Sequence, residues 1–348
     1  MKIIHCADLH LGSKIALGLD NISSERRAEV RASLSNLVKY AIANEIKIIL
    51  LSGDVFDSDT PLKKDKDYFY SIVRENKDID FIYLKGNHDI NTINDDNLSN
   101  LKTFNNSWMS YRFGRVVISG IELNKNNITS FYSTLNLNYN DFNIVMLHGD
   151  INKEIDLFKL KNKGIDYLAL GHIHSFYKNS LDDRGIYAYS GCLIGRGFDE
   201  DGEKGFIVID INDNNFNFKF VPNTIKMIEN IDVDISNLDS ISLINNKIRD
   251  VLNNKNKNNI YRIILKGDIH YNLEINEMDI KANLADYYFI CIKDVTKRKI
   301  DENKYLNEVS LRGEFIRTVL NDSTINEDDK KEIVALGLRM LEGREVEL

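Results

Sequence analysis

The sequence has few cysteines, no long apolar run and no excess of basic residues, and each shortage excludes a class of protein. Its three cysteines, Cys6, Cys192 and Cys291, lie far apart, and the first and last fall in apolar, strand-like stretches. Such a set favours buried free thiols in a reducing compartment over a disulfide framework or a cysteine-ligated metal cluster. We therefore expect a cytoplasmic protein.

Hydrophobic residues make up 43% of the chain but are spread over short runs. None of these runs approaches the ~20 residues that a helix needs to cross a bilayer. The N-terminal residues are typical of a strand rather than of a basic and then apolar signal segment. We expect no membrane association, and the length of 348 residues instead predicts two or three globular domains.

Acidic residues outnumber basic ones by 53 to 45, which gives a net charge of -8. A free-standing nucleic-acid binder usually carries a basic surface. If this chain binds a polyanion, the contact must be local, through metal ions, a basic patch or a partner protein. The basic run at Lys293, Lys297, Arg298 and Lys299 is one candidate patch, although a solvated surface is the commoner explanation for such a run.

Five short blocks of chemically active residues each follow an apolar run that is typical of a buried strand. The blocks are Asp8-Leu9-His10, Gly53-Asp54-Val55-Phe56-Asp57, Gly86-Asn87-His88-Asp89, His148-Gly149-Asp150 and Gly171-His172-Ile173-His174. They contain five of the seven histidines of the chain. Because ligands of open α/β sheets bind at the carboxyl ends of the strands, the blocks predict a single site at one sheet edge.

The residue types in these blocks predict a site for two metal ions. Asp8 and His10 are two residues apart, as are His172 and His174, so an extended chain directs both members of each pair to one face. Carboxylate, imidazole and amide ligands without cysteine suit manganese, iron or zinc. Two ions about 3.5–4 Å apart need a bridging carboxylate, and Asp54 is the candidate.

The order of predicted elements favours a layered α/β fold. The N-terminal part predicts a strand at 3–7, a helix at 24–44 capped by Ser23 or Ser24, a strand at 47–52, a helix from Pro61 to Arg74 and a strand at 80–84. Beyond residue 115 the predicted strands are shorter, at 116–119, 143–147, 166–170, 186–190, 206–211 and 216–221. This change favours a mixed sheet or a sandwich of two sheets over a purely parallel fold.

A domain boundary is predicted near residues 223–230. We divide the chain into a two-sheet α/β core domain at 1–225, a small α/β capping domain at 226–300 and a C-terminal helical segment at 301–348. In the last helix, apolar residues form a stripe that needs a partner surface, namely Ile333, Leu336, Leu338, Met340 and Leu341. The partner is either the protein's own capping domain, which the shortness of the tail favours, or another protein.

The five blocks, in this order, resemble those of the calcineurin-like metallophosphoesterases, whose pattern is D-x-H, G-D-x-x-D, G-N-H-D/E, H and G-H-x-H. Several segments around them are more similar to the SbcD-type DNA repair nucleases, namely residues 8–12, the cluster Arg26, Arg27 and Glu29, residues 53–58 ahead of Pro61, and Gly202-Glu203-Lys204-Gly205-Phe206. The resemblance covers about residues 1–210.

This resemblance implies a Mn²⁺-dependent phosphodiesterase that acts on DNA, as an exonuclease with endonuclease capacity on single strands. It implies one ion bound by Asp8, His10 and His174, a second bound by Asn87, His148 and His172, and Asp54 as the bridge. His88 would contact the scissile phosphate or protonate the leaving oxygen, and Asp89 could orient its imidazole. A homodimer and a coiled-coil ATPase partner of the SbcC type are also implied.

Two other functions remain open at this point. A small-molecule nucleotide phosphodiesterase would use the same two ions and suits the net charge, whereas the capping domain and the SbcD-like flanking residues favour the nuclease. A third possibility is a metal-bound scaffold without activity, but such a protein would not need His88 and Asp89.

Other polar residues near the blocks have ordinary structural explanations. His5 falls within a strand and is expected in the core, and Asp150 is expected to cap a turn. Asp57 is also expected to cap a turn or helix, with support of a metal ligand as the less common alternative. Arg196, in the turn Gly195-Arg196-Gly197, is expected at the surface, although it could contact a phosphate. His270 is expected to be exposed.

Overall fold

The computed structural model describes residues 1–13, 20–58, 60–89, 98–212, 216–270, 272–299, 308–341 and 343. The chain divides after Met227 into two compact units, residues 1–227 and 228–348. The division into three parts made from the sequence stays a prediction. Within the described residues, no helix has both the length and the apolar character needed to cross a membrane.

Two six-stranded sheets form the larger unit. The first contains, in spatial order, β12 (Phe216–Pro222), β11 (Gly205–Ile211), β1 (Lys2–Cys6), β2 (Ile48–Ser52), β3 (Asp80–Leu84) and β4 (Leu101–Thr103). Strands β1 to β4 are parallel to one another, and β11 and β12 form an antiparallel pair beside β1. The aligned carboxyl ends of β1, β2 and β3 therefore bring the first three blocks to the same edge.

The second sheet supplies the other two blocks. Its spatial order is β5 (Met109–Phe113), β6 (Val116–Gly120), β7 (Phe142–His148), β8 (Tyr167–Gly171), β10 (Ile186–Tyr189) and β9 (Tyr177–Ser180). The four central strands β6, β7, β8 and β10 run parallel, and the outer strands β5 and β9 are antiparallel to their neighbours. His148 pairs with Gly171 in register, so the last two blocks also leave the sheet side by side.

The apolar core lies between the two sheets. Ile3, Leu50 and Ile82 of the first sheet and Ile144 and Met146 of the second are fully buried in one cluster. Burial of each such side chain stabilises the fold by about 1.5–3 kcal/mol. All residues of β2 and β7 are buried, which is typical of strands covered on both faces. The two-sheet α/β sandwich predicted from the sequence is confirmed.

The helices of the larger unit are α1 (Asp20–Ala43), α2 (Lys63–Glu75) and the short α3 (Phe131–Thr134), with a 3₁₀ turn at Leu157–Lys159. Helix α1 begins at Asp20, so the prediction of a cap at Ser23 or Ser24 was wrong. The strands β4, β5 and β9 were not predicted. They have three to five residues and are half-buried or exposed, so their sequences lack the apolar run that identifies a core strand.

The smaller unit has a parallel three-stranded sheet in the order β13 (Ile228–Asp234), β14 (Ile260–Lys266) and β16 (Phe289–Asp294). The connecting helices are α4 (Ile241–Leu252) and α5 (Glu277–Asn283), and two short strands, β15 (Asp268–His270) and β17 (Lys297–Lys299), pair with each other. In β17 the side chains of Lys297 and Lys299 are exposed, and so is His270.

Two C-terminal helices, α6 (Leu311–Asn321) and α7 (Glu327–Leu341), pack against each other. Ile316 and Val319 of α6 contact a face of α7 that includes Val334 and Leu338. The stripe predicted for α7 is therefore only partly correct, because Leu338 is fully buried whereas Met340 is 63% exposed. Ile333 and Leu341 are also exposed.

Candidate metal centre

The five blocks form the edge at which the parallel strands end, and their backbone is strained there. Positive φ angles occur at Asp8 (52°), His10 (47°), Asp54 (51°) and His172 (105°), four of the eight non-glycine residues with this property in the described chain. Such conformations cost on the order of 1–3 kcal/mol each and concentrate at functional sites. The rest of the fold therefore holds these side chains in directions that a relaxed loop would not give them.

Glycines allow the blocks to pack directly on one another. A Cβ atom added to Gly53 would lie 2.1 Å from Nδ1 of His148, and one added to Gly86 would lie 2.1 Å from Oδ1 of Asp54. Real Cβ contacts of this length do not occur, so a side chain at either position would displace a predicted ligand. The Gly-Asp and Gly-Asn pairs of the motifs thus reflect close approach of the backbone to the site.

Asp8, His10 and His174 form one cluster, which we call the first ligand group. One potential ligand atom from each residue lies within 4.8 Å of the others. The Nε2 atoms of His10 and His174 are 3.2 Å apart. Asp8 and His10 are almost fully buried, and the carboxylate of Asp8 accepts two contacts from the backbone N–H of His172, at 3.0 and 3.1 Å.

A carboxylate lies behind each imidazole of the first ligand group, that is, next to the Nδ1 atom on the side of the ring away from the centre of the group. Oε1 of Glu200 lies 2.7 Å from Nδ1 of His174, and Oδ1 of Asp57 lies 3.1 Å from Nδ1 of His10. The second contact lies off the direction of the N–H bond, since Nδ1 of His10 makes no well-aligned hydrogen bond. A carboxylate can only accept, so both contacts favour a proton on Nδ1 and leave a lone pair on Nε2.

Asn87, His148 and His172, the predicted ligands of the second ion, meet around the amide oxygen of Asn87, and we call them the second ligand group. This oxygen lies 3.0 Å from Nε2 of His148 and 3.3 Å from Nδ1 of His172. Nδ1 of His148 donates to the backbone carbonyl of Ser52 over 2.9 Å. On the side of its ring that faces away from Asn87, His148 thus contacts a neutral carbonyl, where the imidazoles of the first group have carboxylates.

Asp54 lies between the two groups. Its Oδ2 is 3.9 Å from Nε2 of His10 and 3.4 Å from Nε2 of His148. Its Oδ1 accepts a hydrogen bond from the backbone N–H of His88 over 3.0 Å, which fixes the carboxylate. The carboxylate therefore faces both groups, and its role as a bridge between two ions stays a prediction.

The charges of the site are strongly coupled. Burial alone would raise the pKa of Asp54, but the hydrogen bond and the charge of His148 outweigh it and hold this pKa well below its usual value. Burial would likewise lower the pKa of His148, yet Asp54 raises it to about 9. Burial raises the pKa of Asp8 to about 6, against the opposing effect of His148 and His174. The site therefore carries anionic oxygens that attract cations.

The donor set fits two divalent cations. A second triad, Asp8, Asp54 and His148, also brings potential ligand atoms within 4.8 Å of one another, so the two triads share Asp8. Its donors are carboxylate oxygen and imidazole nitrogen, a set that suits manganese, iron or zinc. In the first group the nitrogens that face the centre carry lone pairs, as metal ligation requires.

His88 and Asp89 have different surroundings. His88 is exposed beside the first group, with its ring centroid 5.3 Å from that of His10. Asp89 is fully buried and accepts from the backbone N–H groups of Val55, Phe56 and Gly86, at 2.9 to 3.2 Å. Both of its oxygens thus hold the second and third blocks together, and the role of Asp89 in orienting the His88 imidazole stays a prediction.

Arg196 and Asp57 also depart from the sequence-based expectations. The side chain of Arg196 is only 15% exposed and pairs with Glu200 and Asp57, so the expected surface position was wrong. Asp57 contacts His10, which makes the less common of its two interpretations the correct one. Glu200 was missed, and the only signal for it was its spacing of four residues from Arg196 after a glycine-rich turn.

Two other expectations agree with the structure. His5 is fully buried in the core, where its Nδ1 lies 2.9 Å from the hydroxyl of Tyr167, and burial lowers its pKa to about 3. Asp150 caps the turn after His148 by accepting from the backbone N–H of Asn152 over 2.8 Å. Neither residue joins the two ligand groups.

Comparison with known proteins agrees with this geometry. The model of the family described as calcineurin-like phosphoesterase matches residues 1–176, just over half of the 348 residues. A DNA double-strand break repair protein Mre11 from Saccharolobus solfataricus is 25% identical to this chain, over 95% of the chain and 98% of the relative.

Two further relatives have similar names. An Mre11 protein from Sulfurisphaera tokodaii is 26% identical over 87% of this chain and 83% of the relative. The SbcD component of the nuclease SbcCD from Rhodobacter capsulatus is 32% identical over 26% of this chain and 22% of its own length. These matches confirm the resemblance found in the motifs. The chain therefore belongs to the calcineurin-like phosphoesterase family and is a metal-dependent hydrolase of phosphate esters.

Proposed function

We propose that this protein is a Mn²⁺-dependent DNA nuclease, an exonuclease with endonuclease capacity on single strands, which acts in DNA repair. The observation that carries the proposal is the convergence of two ligand groups on Asp54 in a chain that is similar to Mre11 repair proteins over nearly its whole length.

The ligand groups have separate roles in this proposal. One ion would be held by the first group, Asp8, His10 and His174, and the other by the second group, Asn87, His148 and His172, with Asp54 available to both. When bound, the ions supply Lewis-acid activation of the phosphodiester and of the attacking water. Glu200 through its hydrogen bond, and Asp57 through its nearby charge, would favour the ligating tautomer of the imidazoles of the first group.

His88 is the proposed catalytic side chain that is not a ligand. Its backbone N–H donates to the carboxylate of Asp54, the proposed bridge, and this hydrogen bond fixes the backbone of His88 next to that carboxylate. Its imidazole is exposed, so it can reach a phosphate that lies on the site. We assign it contact with the scissile phosphate or proton donation to the leaving oxygen.

The proposal includes two kinds of protein partner. The first is a coiled-coil ATPase of the SbcC type, supported by the name of the SbcCD nuclease relative and by the exposed apolar residues Ile333, Met340 and Leu341 of α7. The second is another copy of this chain, as expected from the family. We place the protein in the cytoplasm, where its three free cysteines, Cys6, Cys192 and Cys291, would stay reduced.

A small-molecule nucleotide phosphodiesterase is the second candidate, supported by the net charge of -8. It would use the same two ions and the same bridge. The two candidates differ in substrate size, and therefore a direct comparison of substrates separates them.

The test is the nuclease activity of the full chain with Mn²⁺. The substrates are end-labelled linear duplex DNA, circular single-stranded DNA and a small chromogenic phosphodiester. Wild type is compared with His88→Ala and with the matched control His270→Ala, which removes an exposed histidine of the smaller unit.

The proposal predicts that wild type and His270→Ala digest both DNA substrates and that His88→Ala loses this activity. Full DNA cleavage by His88→Ala would contradict the role of that residue. Cleavage of the small ester alone, also after addition of an SbcC-type ATPase, would favour the nucleotide phosphodiesterase.

The ATPase partner is tested separately by deletion of residues 323–348, which contain α7. Loss of ATPase binding by a deletion variant that remains folded supports docking through this helix. Loss of solubility instead indicates that α7 serves to cover α6, through contacts such as that of Leu338 with Ile316. Analytical ultracentrifugation of the full chain tests the dimer.

A further inference from the structure

Arg196 connects the two residues that support the first ligand group. Its NH1 donates to Oδ1 of Asp57 over 2.9 Å, and its Nε lies 3.1 Å from both carboxylate oxygens of Glu200. Its NH2 also pairs with Glu200. The contacted carboxylates are those that lie behind His10 and His174. One guanidinium thus holds the partners of both imidazoles of one metal position.

The proton positions follow from these contacts. NH2 of Arg196 lies 3.3 Å from Nδ1 of His174, but Glu200 lies closer to the same nitrogen, at 2.7 Å. Because a carboxylate accepts only, Nδ1 of His174 is the donor to Glu200, and the contact with Arg196 is not a hydrogen bond. The guanidinium therefore acts on His174 through Glu200.

Hydrogen bonds hold both the turn that carries Arg196 and the backbone of His174 in place. The backbone N–H of Arg196 donates to Oε2 of Glu200 over 2.8 Å, which closes the turn on its own partner. The carbonyl of Gly195 accepts from Arg26, a fully buried residue of α1, over 2.5 Å. The buried amine of Lys204 donates to the backbone carbonyl of His174 over 3.0 Å. This support resembles the built surroundings of a metal site rather than a surface ion pair.

We propose that Arg196 is a positioning residue that holds Asp57 and Glu200 behind His10 and His174, and that it makes the first ligand group the tighter of the two metal positions. The inference rests on the ligand groups proposed above but is independent of DNA as the substrate. In the second group, His148 donates to the neutral carbonyl of Ser52, and no comparable clamp connects Asn87, His148 and His172 among the described residues.

Charge and geometry predict opposite results when Arg196 is removed. Arg196, Asp57 and Glu200 together carry a net charge of about -1, and loss of the guanidinium would make it about -2. By charge alone, a cation should then bind more tightly. If Arg196 acts by position, its loss releases both carboxylates and cation binding becomes weaker. The direction of the change in affinity therefore identifies the cause.

The experiment is calorimetric titration of the metal-free full chain with Mn²⁺, for wild type, Arg196→Met and Arg196→Lys. The control is Arg184→Met. Arg184 makes a similar two-armed pair with Asp166, at 3.0 and 2.9 Å, at the opposite end of β8 from the ligands. Thermal unfolding of each metal-free variant is recorded beside the titration.

We expect Arg196→Met to weaken the tighter Mn²⁺ site by about 10- to 100-fold, the usual effect of losing a residue that orients metal ligands. Arg196→Lys should fall between Arg196→Met and wild type, because lysine keeps the charge but cannot hold two carboxylates in one plane. The weaker site should change less than threefold in both variants, and Arg184→Met should bind both ions like wild type.

Three outcomes would overturn the inference, namely unchanged affinity, tighter binding by Arg196→Met, and a loss that Arg184→Met reproduces in proportion to its own change in unfolding temperature. A wild-type chain that binds fewer than two ions would instead contradict the proposed ligand groups. Binding of two ions by wild type with an unaltered Arg196→Met titration would contradict only the role of Arg196. Failure of this inference and of the proposed function are therefore distinguishable.

Discussion

The two ligand groups contain similar side chains but have different surroundings. In the first group, Glu200 and Asp57 lie behind the imidazoles and Arg196 holds both carboxylates. In the second group, His148 donates to the carbonyl of Ser52. A carboxylate behind an imidazole makes it a stronger metal ligand than a neutral carbonyl does. We therefore expect the two groups to differ in metal affinity because of the residues that contact their imidazoles, although the ligands themselves are similar.

The two ligand groups also differ in the solvent exposure of their side chains. Each group has one half-buried histidine, His174 or His172, and the difference lies in Asn87, which is exposed, whereas the remaining ligands of both groups are buried. Solvent reaches the second group more easily, so an ion there should exchange faster. We therefore expect a firmly held ion in the first group and a more labile one in the second, with Asp54 shared between them.

Replacement of Asp54, which faces both ligand groups, should have the largest effect on hydrolysis. Asp54→Asn keeps the shape of the side chain but loses the charge that faces both His10 and His148. Lewis-acid catalysis by a metal contributes several kcal/mol, so we expect Mn²⁺-dependent hydrolysis to fall about a thousandfold or more. Steady-state kinetics on a chromogenic phosphodiester gives the measurement, and activity within tenfold of wild type would contradict the bridging role.

Loss of His88 should reduce hydrolysis while leaving both groups intact. We expect His88→Ala to lower kcat by about a hundredfold or more, as for loss of a general acid, and to bind two Mn²⁺ ions like wild type. The check combines kinetics with calorimetry on the same preparation. Loss of an ion in His88→Ala would mean that His88 is a ligand, which the present assignment excludes.

Replacement of a carboxylate behind one imidazole should affect only the first group. Glu200→Gln retains a side chain that can accept from Nδ1 of His174 but lacks its charge. We expect about tenfold weaker binding at the tighter site, at the lower end of the range for such residues. Glu154→Gln is the matched control, because Glu154 accepts from the backbone of Asp150 and its charge acts on His172 of the second group. Equal losses of Mn²⁺ affinity at the tighter site in the two variants would contradict the proposed difference between the two ligand groups.

The pH dependence of binding should also differ between the groups. The pKa of Asp8 is raised to about 6, so protonation weakens the first group only as the pH falls through that value. The pKa of His148 is raised to about 9, so its ring must lose a proton to bind an ion at neutral pH. Affinity at the second group should therefore rise up to tenfold per pH unit until about pH 9, with release of about one proton per ion.

Calorimetry in two buffers of different ionisation enthalpy at pH 7.5 measures this proton release. We expect about one proton for the weaker site and close to zero for the tighter one. Equal proton release at both sites would show that Asp54 does not hold His148 in its charged form.

Much of this site could be predicted from the sequence because parallel strands end at a common edge. The blocks at Asp8, Asp54 and Asn87 follow three neighbouring strands of one sheet, and those at His148 and His172 follow two neighbouring strands of the other. Motif order and strand pattern together gave the two-sheet architecture and the residues that meet at the edge.

The residues behind the ligands could not be predicted in this way. Glu200 and Arg196 lie in the connection from β10 to β11, which crosses from one sheet to the other. The path of such a connection depends on tertiary contacts, such as that of buried Arg26 with the Gly195 carbonyl, and has no periodic sequence pattern. For the same reason the sequence did not indicate that Asp89 holds two blocks together by accepting from their backbone.

The most direct test of the asymmetry is anomalous diffraction at the manganese edge from crystals of the full chain. Crystals are prepared with one equivalent of Mn²⁺ and with a large excess. The account predicts a single peak among Asp8, His10 and His174 at one equivalent, and a second peak among Asn87, His148 and His172 in excess Mn²⁺. A first peak in the second group, or equal occupancy of both groups at one equivalent, would contradict it.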